Sequence, residues 1–403
     1  MNREKTAAML DALTQLAMVG FVGSLTVSIA FTQTSLGIGW IAWLLKCLVE
    51  KRWNGFKTPM DFGFGLFLAV ALLSSAFSLS PGESFLSLKK FYLLSAVYFI
   101  GYNIKNSGRM LELIRLFLLV TALTGIYGLI MFAFGYQPRL LATQGMAMTS
   151  GGIFMMAGLL SVAWHQYSFA SIDKPDRILS IVSSGMLFVC LILTRTVSSW
   201  FGFIIGIFTS LKTWGKRAIV MGLALVMLAG VLVGVKNLRW SFMLFYGNKS
   251  TSWDMRLSMW RMGWDLIKER PMLGTGTVDL GHLLKDKMTP ADELVWQNIP
   301  IGGHLHNNFI HIAVTMGLLG LSAFIFMWVS VFAMVIKLIG SKSHMIATFA
   351  RGIFTVVIGF LISGLAEWNF GDSEVVTILW FVVGLALSAW HLEKTDENHS
   401  KYA

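Results

Sequence analysis

Apolar residues recur along the chain in runs long enough for helices to cross a bilayer, at roughly 10–26, 31–49, 60–78, 88–103, 111–134, 147–168, 178–194, 200–213, 217–235, 308–338, 347–366 and 375–391. The pattern predicts an all-α fold: a polytopic membrane bundle of about twelve transmembrane helices, with residues 1–403 forming one transmembrane domain. Only one polar interval is long, residues 236–306, between the ninth and tenth runs. Structureless loops of that length are uncommon in compact proteins, so this insertion is expected to fold, and to do so as helix. Within it Leu257, Trp260, Trp264 and Ile267 share one helical face, and Pro271 with Gly274-Thr275-Gly276 ends the helix. On a wheel of 3.6 residues per turn Arg256 lies about 60° from the centre of that stripe, which lets it point down towards the mouth of the bundle.

Composition agrees with the membrane reading. Hydrophobic residues make up 55% of the chain and charged ones 13%, against about 25% charged in soluble domains, and mean hydropathy is +0.67. A net charge of +11 would otherwise suggest nucleic acid, but the basic residues fall into alternate loops: Lys46, Lys51, Arg52 and Lys57; Lys105 and Arg109; Lys174 and Arg177; Lys212, Lys216 and Arg217; Lys337 and Lys342. With the terminal basic residues these are more than half of all Lys and Arg, so that side is read as cytoplasmic, with both termini on it, and no nucleic-acid partner is expected. The start, Arg3 and Lys5 before an apolar run without a small-residue cleavage site, reads as a retained first helix. Cys47 and Cys190 both lie in apolar runs, so no disulfide framework is expected.

The candidate chemistry sits where the 236–306 insertion meets the tenth run, in His304-Leu305-His306-Asn307-Asn308. Imidazoles and carboxamides at the edge of a hydrocarbon phase are costly and call for a use. A neutral His306 is suited to accept a proton, imidazole being the side chain that ordinarily titrates near neutrality, with Asn307 or Asn308 orienting it or a substrate. The structural alternative is that His304, His306 and His311 are satisfied by hydrogen bonds at a helix end. A metal site is not expected, because their spacings do not bring the imidazoles to one helix face and Asp292 and Glu293 add no ligand pattern. Arg195, in the outward turn Leu193-Thr194-Arg195-Thr196, is either a snorkelling anchor or a fixed cation for phosphate. Lys89 and Lys90 start the fourth run on the outward side and are interface anchors or phosphate contacts. The last outward hairpin, Glu367 to Glu374, is acidic and aromatic: either a helix turn capped by Asp372 or Ser373, or an aromatic platform with carboxylates for a sugar.

Nine residues after the His306-Asn307 pair come Gly317 and then Gly320, read as small residues that let a neighbouring helix approach. His306, Asn307, Gly317 and Gly320 together resemble the signature of the bacterial O-antigen ligases, and Met255-Arg256-Leu257-Ser258-Met259-Trp260 is similar to the Arg-Leu start of that family's periplasmic helix. The family also carries an Arg in the turn that holds Arg195, here displaced by two to four residues. The resemblance implies a GT-C-type glycosyltransferase of the inner membrane, multi-pass with both termini cytoplasmic, working at the periplasmic face without metal or cofactor. It would move a glycan from an undecaprenyl diphosphate-linked O-antigen donor to lipid A-core oligosaccharide, with inversion. His306 would be the base and Arg256 and Arg195 would hold the diphosphate, with Asn307, Asn308, His304, Lys89 and Lys90 near the substrates. Membrane lipids are the expected surroundings and a monomer the expected state. The same signature leaves open an O-antigen polymerase or a protein O-oligosaccharyltransferase. A secondary transporter is the alternative from another class, though it predicts half-to-half similarity and charges near mid-membrane that the sequence lacks. A non-catalytic scaffold would leave the His306 and Arg256 mouth without a purpose.

Overall fold

A computed structural model describes residues 3–51, 57–171, 174–210, 236–296, 299 and 301–402. All its regular elements are helical, with no strand among the described residues: α1 (Arg3–Ser24), α2 (Ile29–Glu50), α3 (Asp61–Ala76), α4 (Pro81–Ser87), a 3-10 segment (Leu88–Ser95) running into α5 (Ala96–Asn103), α6 (Ser107–Ala133), α7 (Ala147–Ser171), α8 (Lys174–Leu193), α9 (Val197–Ser210), α10 (Lys236–Glu269), α11 (Gly281–Lys285), α12 (Pro290–Trp296), α13 (Asn308–Ile339), α14 (His344–Ser363) and α15 (Ser373–Tyr402). Side chains set several starts: Ser28, Asn106, Asn307 and Ser343 each accept from a backbone N–H two or three residues ahead. Among the described residues six helices, α1, α6, α7, α13, α14 and α15, are long and apolar enough to cross a membrane, and Asp61–Ala76, Ser180–Leu193 and Val197–Ser210 are apolar but shorter. Helices stand at eleven of the twelve predicted runs, and the ninth, 217–235, falls outside the described residues. Of the other runs, the fourth divides between the 3-10 segment and α5, and α2, at 22 residues, is long enough to span but less apolar.

Two helices form the centre: 89% of the apolar stretch of α7 and of α15 is buried, against 33% for α1 and α6. The outer helices turn Leu16, Leu48, Phe62, Leu119 and Phe201 outwards, an arrangement suited to a lipid solvent. Where α9 crosses α14 the backbones touch: a Cβ on Gly202 would lie 2.4 Å from the Gly359 carbonyl oxygen, so small residues there permit the crossing.

The 236–306 insertion builds its own small core. Met259, Met262 and Leu266 of α10 pack with Leu280, Leu284, Trp296, Leu305 and Val314. Half of the predicted stripe is buried here: Ile267 belongs to this core and Trp260 packs against it, whereas Leu257 and Trp264 face outwards at 54% and 57% exposure. Unbranched Met259 and Met262, which the sequence reading left out, fill the irregular gap beneath the helix. Asp292 of α12 ties the insertion together, accepting from Ser258 Oγ (2.7 Å), Thr289 N (2.8 Å), Thr289 Oγ1 and the Arg261 guanidinium.

Helix α13 is interrupted. Gly317 has φ +69° and ψ −173°, so two turns, Asn308 to Met316, precede a break inside the apolar run. The freed backbone groups find partners in the segment after α10: Leu318 N donates to Pro271 O (2.8 Å), Thr275 N to Val314 O (2.9 Å) and Gly276 N to Thr315 O (2.8 Å). Ser74 Oγ adds bonds to Leu273 O (2.8 Å) and Thr315 O (2.9 Å). Gly317 thus admits a loop backbone rather than the neighbouring helix expected of it, and a Cβ there would lie 2.2 Å from Met272 O. The space beside Gly320 is filled by Met316 of its own helix.

Two outcomes are expected. Gly317→Ala meets both the clash and a positive-φ, extended backbone that is essentially reserved to glycine and costs an L-residue about 1–3 kcal/mol, so in detergent it should melt several degrees below wild type; Gly185→Ala, with open space around its Cβ, should not. Burial alone would raise the Asp292 carboxyl, but the donors around it, Thr289 and then Ser258 and Arg261, outweigh burial and hold it at about 2. A depressed carboxyl stabilises the fold above its unfolded value and loses that contribution as pH falls through its folded value. Melting temperature should therefore be flat at neutral pH and fall between about pH 4 and pH 2, and Asp292→Asn should be less stable at pH 7 and lack that component of the acid transition. A variant that titrates like wild type would show that other groups govern the transition.

Candidate active site

The His304–Asn308 stretch is built from two directions. Leu305 is fully buried in the insertion's core and its carbonyl accepts from Trp260 Nε1 (2.8 Å). Asn307 caps α13, its Oδ1 accepting from Phe309 N (2.9 Å) and Ile310 N (3.0 Å), while its Nδ2 donates to Leu365 O (2.7 Å). Asn308 is buried, with its N–H on Gly364 O (2.7 Å), its Nδ2 on Asn369 Oδ1, and its Oδ1 accepting from Phe370 N (3.1 Å). The two carboxamides thus tie the start of α13 to the segment joining α14 and α15, each Nδ2 giving one of its two N–H groups to it.

Held on both sides, His306 adopts φ +45°, one of four non-glycine residues with positive φ among those described. Such a conformation costs about 1–3 kcal/mol and persists only where the surroundings over-determine it. Its Nδ1 lies 3.2 Å from Glu367 Oε2, and the other oxygen, Oε1, accepts from Arg256 Nη2 at 2.8 Å. Glu367 was read from sequence only as part of the last hairpin, yet it joins the two residues, His306 and Arg256, most firmly expected in the site. A carboxylate only accepts, so Nδ1 carries a proton, and in the neutral ring the lone pair is then on Nε2. Arg256 also donates from Nη1 to Ser252 Oγ (3.0 Å) and lies over the Trp253 ring (5.8 Å). With Arg256 and Glu367 at 7% and 8% exposure, the pair is buried, and its charges cancel beside His306.

His304 lies edge-on to His306, ring centroids 4.4 Å apart. Burial, and then the neighbouring His306, hold its pKa below the ordinary imidazole value, which keeps it neutral. His311, on the first turns of α13, is buried against Trp368 with centroids 3.8 Å apart. His304, His306, His311 and Glu367 border a cavity of about 720 Å³ that also reaches Lys90, Trp368 and Glu374. Lys90 donates to Gly371 O (3.3 Å), whereas Lys89 is exposed and does not line the cavity. The hairpin is capped as one reading held: Asp372 Oδ1 accepts from Glu374 N (3.1 Å) and Val375 N (3.2 Å). Among the described residues no three His, Cys, Asp or Glu side chains converge on a point that would hold a metal ion.

Arg195 is in the turn between α8 and α9 at φ +53°. That turn is clamped by Arg139, which the sequence reading passed over: its Nε donates to Thr194 O (2.8 Å) and its Nη2 to Arg195 O (3.1 Å) and Thr196 Oγ1 (3.2 Å). Thr196 Oγ1 in turn donates to Ala147 O (2.9 Å) at the start of α7, whose Met148 and Thr149 line the cavity. Burial, then the adjacent Arg195, lower the Arg139 pKa, and Glu367 opposes that shift, so these charges share one region. Arg195 itself is not among the lining residues, and burial lowers its pKa.

Comparison with known proteins bears out the resemblance: the model of the O-antigen ligase family matches residues 182–325. That span holds Arg195, Arg256, His304, His306 and both signature glycines, and it ends before Glu367. A protein of Rickettsia bellii (strain RML369-C) named "Putative polysaccharide ligase" is 23% identical over 348 residues, which are 81% of this chain and 77% of that one.

The shared carboxylate generates a test. Glu367→Gln keeps the shape but leaves the buried Arg256 charge unpaired, a change that costs about 3–5 kcal/mol when one partner of a buried pair is removed. The variant should melt well below wild type in detergent, and Glu367→Gln with Arg256→Met should recover much of the loss. A double variant no better than the single would show that the ion pair does not couple the two positions.

Proposed function

We propose that this chain, similar to the O-antigen ligases over residues 182–325, is a glycosyltransferase that moves a finished glycan from undecaprenyl diphosphate to a sugar hydroxyl of lipid A-core oligosaccharide. The observation that carries the reading is the Arg256–Glu367–His306 arrangement at the edge of the cavity. The acceptor hydroxyl attacks the anomeric carbon from the face opposite the diphosphate; its proton passes to His306 Nε2, the new C–O bond forms with inversion as the old one breaks, and undecaprenyl diphosphate leaves. Glu367 holds the imidazole in the tautomer with a free Nε2 and stabilises the imidazolium that forms, as a carboxylate does in other His-dependent sites. Arg256 acts through Glu367 as well as by its charge. In this reading Arg195, on the Arg139-clamped turn, is the second cation for the departing diphosphate, because a guanidinium is a fixed charge with bidentate geometry. The diphosphate is an activated leaving group, so the reaction draws on no metal, cofactor or protein acid.

The bundle is proposed as GT-C-type with about twelve spans, a monomer in the bacterial inner membrane with both termini cytoplasmic and the 236–306 insertion at the periplasmic face. An O-antigen polymerase or protein O-oligosaccharyltransferase would differ in acceptor alone, and the assay distinguishes the ligase from the polymerase.

The test is transfer by purified protein from undecaprenyl diphosphate-linked glycan to rough lipopolysaccharide. Wild type should modify the lipopolysaccharide with or without chelator. His306→Ala should lose about 10²–10⁴-fold in rate at equal folded protein, and His304→Ala far less. Growth of the lipid-linked donor with the lipopolysaccharide unchanged would reassign the protein as a polymerase, and no product of either kind would sink both the ligase and the polymerase readings.

A further inference from the structure

The cavity holds features that the reaction above leaves unused. Trp368 lines it, and the indole is built into place: His311 packs on the ring with centroids 3.8 Å apart and an interplanar angle of 36°. Gly371 leaves room for the indole edge, since a Cβ there would lie 1.9 Å from Trp368 Nε1. His311 is 93% buried, borders the same cavity, and its Nδ1 has no hydrogen-bond partner. A buried imidazole with an unmet polar atom is costly to keep for packing alone.

Glu83, Asp279, Asp372, Glu374 and Lys90 line the same cavity. Three of those carboxylates are engaged: Glu83 accepts from Asp279 N (3.0 Å), Asp279 from Gly281 N (2.8 Å), and Asp372 from Thr149 Oγ1 (2.6 Å). The half-buried Glu374 carboxyl has the Asp372 carboxyl as its neighbour. An acid-rich wall repels a diphosphate, and an apolar ring face in one cavity with these carboxyl groups matches a pyranose, whose C–H face stacks on indole while its hydroxyls bond to oxygen.

We infer that Trp368, braced by His311, together with Glu374 forms a subsite for an uncharged or amino-bearing pyranose next to the reacting centre. The inference rests on the transfer reading above and deepens it. The ring belongs either to the acceptor or to the reducing end of the donor glycan, and the arms of one experiment separate the two.

Michaelis constants for rough lipopolysaccharide and for lipid-linked glycan are measured for wild type, Trp368→Ala, Trp368→Phe and Glu374→Gln, with melting temperature recorded for each. Trp368→Ala should raise the constant of one substrate about tenfold, the order expected for a lost aromatic contact. Trp368→Phe should recover most of that, Glu374→Gln should raise the same constant, and the affected substrate identifies whose sugar is bound. Equal constants in all variants, or a loss common to both substrates that follows melting temperature, would overturn the subsite. Binding of oligosaccharides released from rough lipopolysaccharide and from the donor is titrated in parallel on the full chain. If wild type transfers nothing, the reaction falls but the subsite is still judged: weaker binding to Trp368→Ala supports it, and equal or undetectable binding overturns it.

Discussion

A peptide group in hydrocarbon has no water to bond, so a helix can be broken inside a membrane only where other protein atoms meet the freed N–H and C=O groups. The break at Gly317 imposes that condition on the rest of the protein. Residues 271–276 must lie against α13 to meet it, which fixes where the insertion returns from α10. The insertion's core then packs α10 over the start of α13, and from that position Arg256 reaches Glu367. Leu305, held in the same core, leaves His306 the left-handed backbone that turns its ring to the carboxylate.

Charge balance explains why this cluster tolerates burial. One cation and one carboxylate cancel beside an imidazole that only needs to be oriented, and both oxygens of Glu367 are used. A buried pair of this kind adds little net stability over an apolar substitute, but it is unforgiving of the loss of either member. The asymmetry suits a site whose geometry matters more than its contribution to folding. A comparable economy appears at the α8–α9 turn, where Arg139 replaces missing helix partners for Thr194 and Arg195.

The helices were legible because hydropathy adds along a run, and His306 and Arg256 because polar groups at a membrane mouth stand out against apolar flanks. Glu367 was harder to see. It follows His306 by 61 residues, in a hairpin whose composition also fits a simple cap, and nothing local shows which carboxylate will meet an imidazole. Arg139 lies in a short Gln-Pro-Arg loop that matches no motif, and its role exists only through carbonyls 55 and 56 residues away. Asn307 and Asn308 were conspicuous for their polarity, but the bonds they make to Leu365, Asn369 and Phe370 cross about 60 residues of sequence and have no local signal. The face of α10 was half legible: Trp260 and Ile267 turn to the core as read, but the buried side is completed by Met259, Met262 and Leu266 rather than by Leu257 and Trp264. At Gly317 the small residue was rightly singled out, and the partner it admits was mistaken, since sequence does not distinguish room for a helix from room for an unwound strand of backbone.

The cavity's size carries a consequence of its own. A space of about 720 Å³ is in the range that encloses a drug-sized molecule, equivalent to a few sugar rings and far less than a polymer. In the proposed reaction only the termini being joined would be enclosed, with the remainder of each chain trailing into solvent. An enzyme built this way has no ruler: it would accept short and long glycans alike, and the distribution of lengths at the cell surface would have to be set before the glycan arrives.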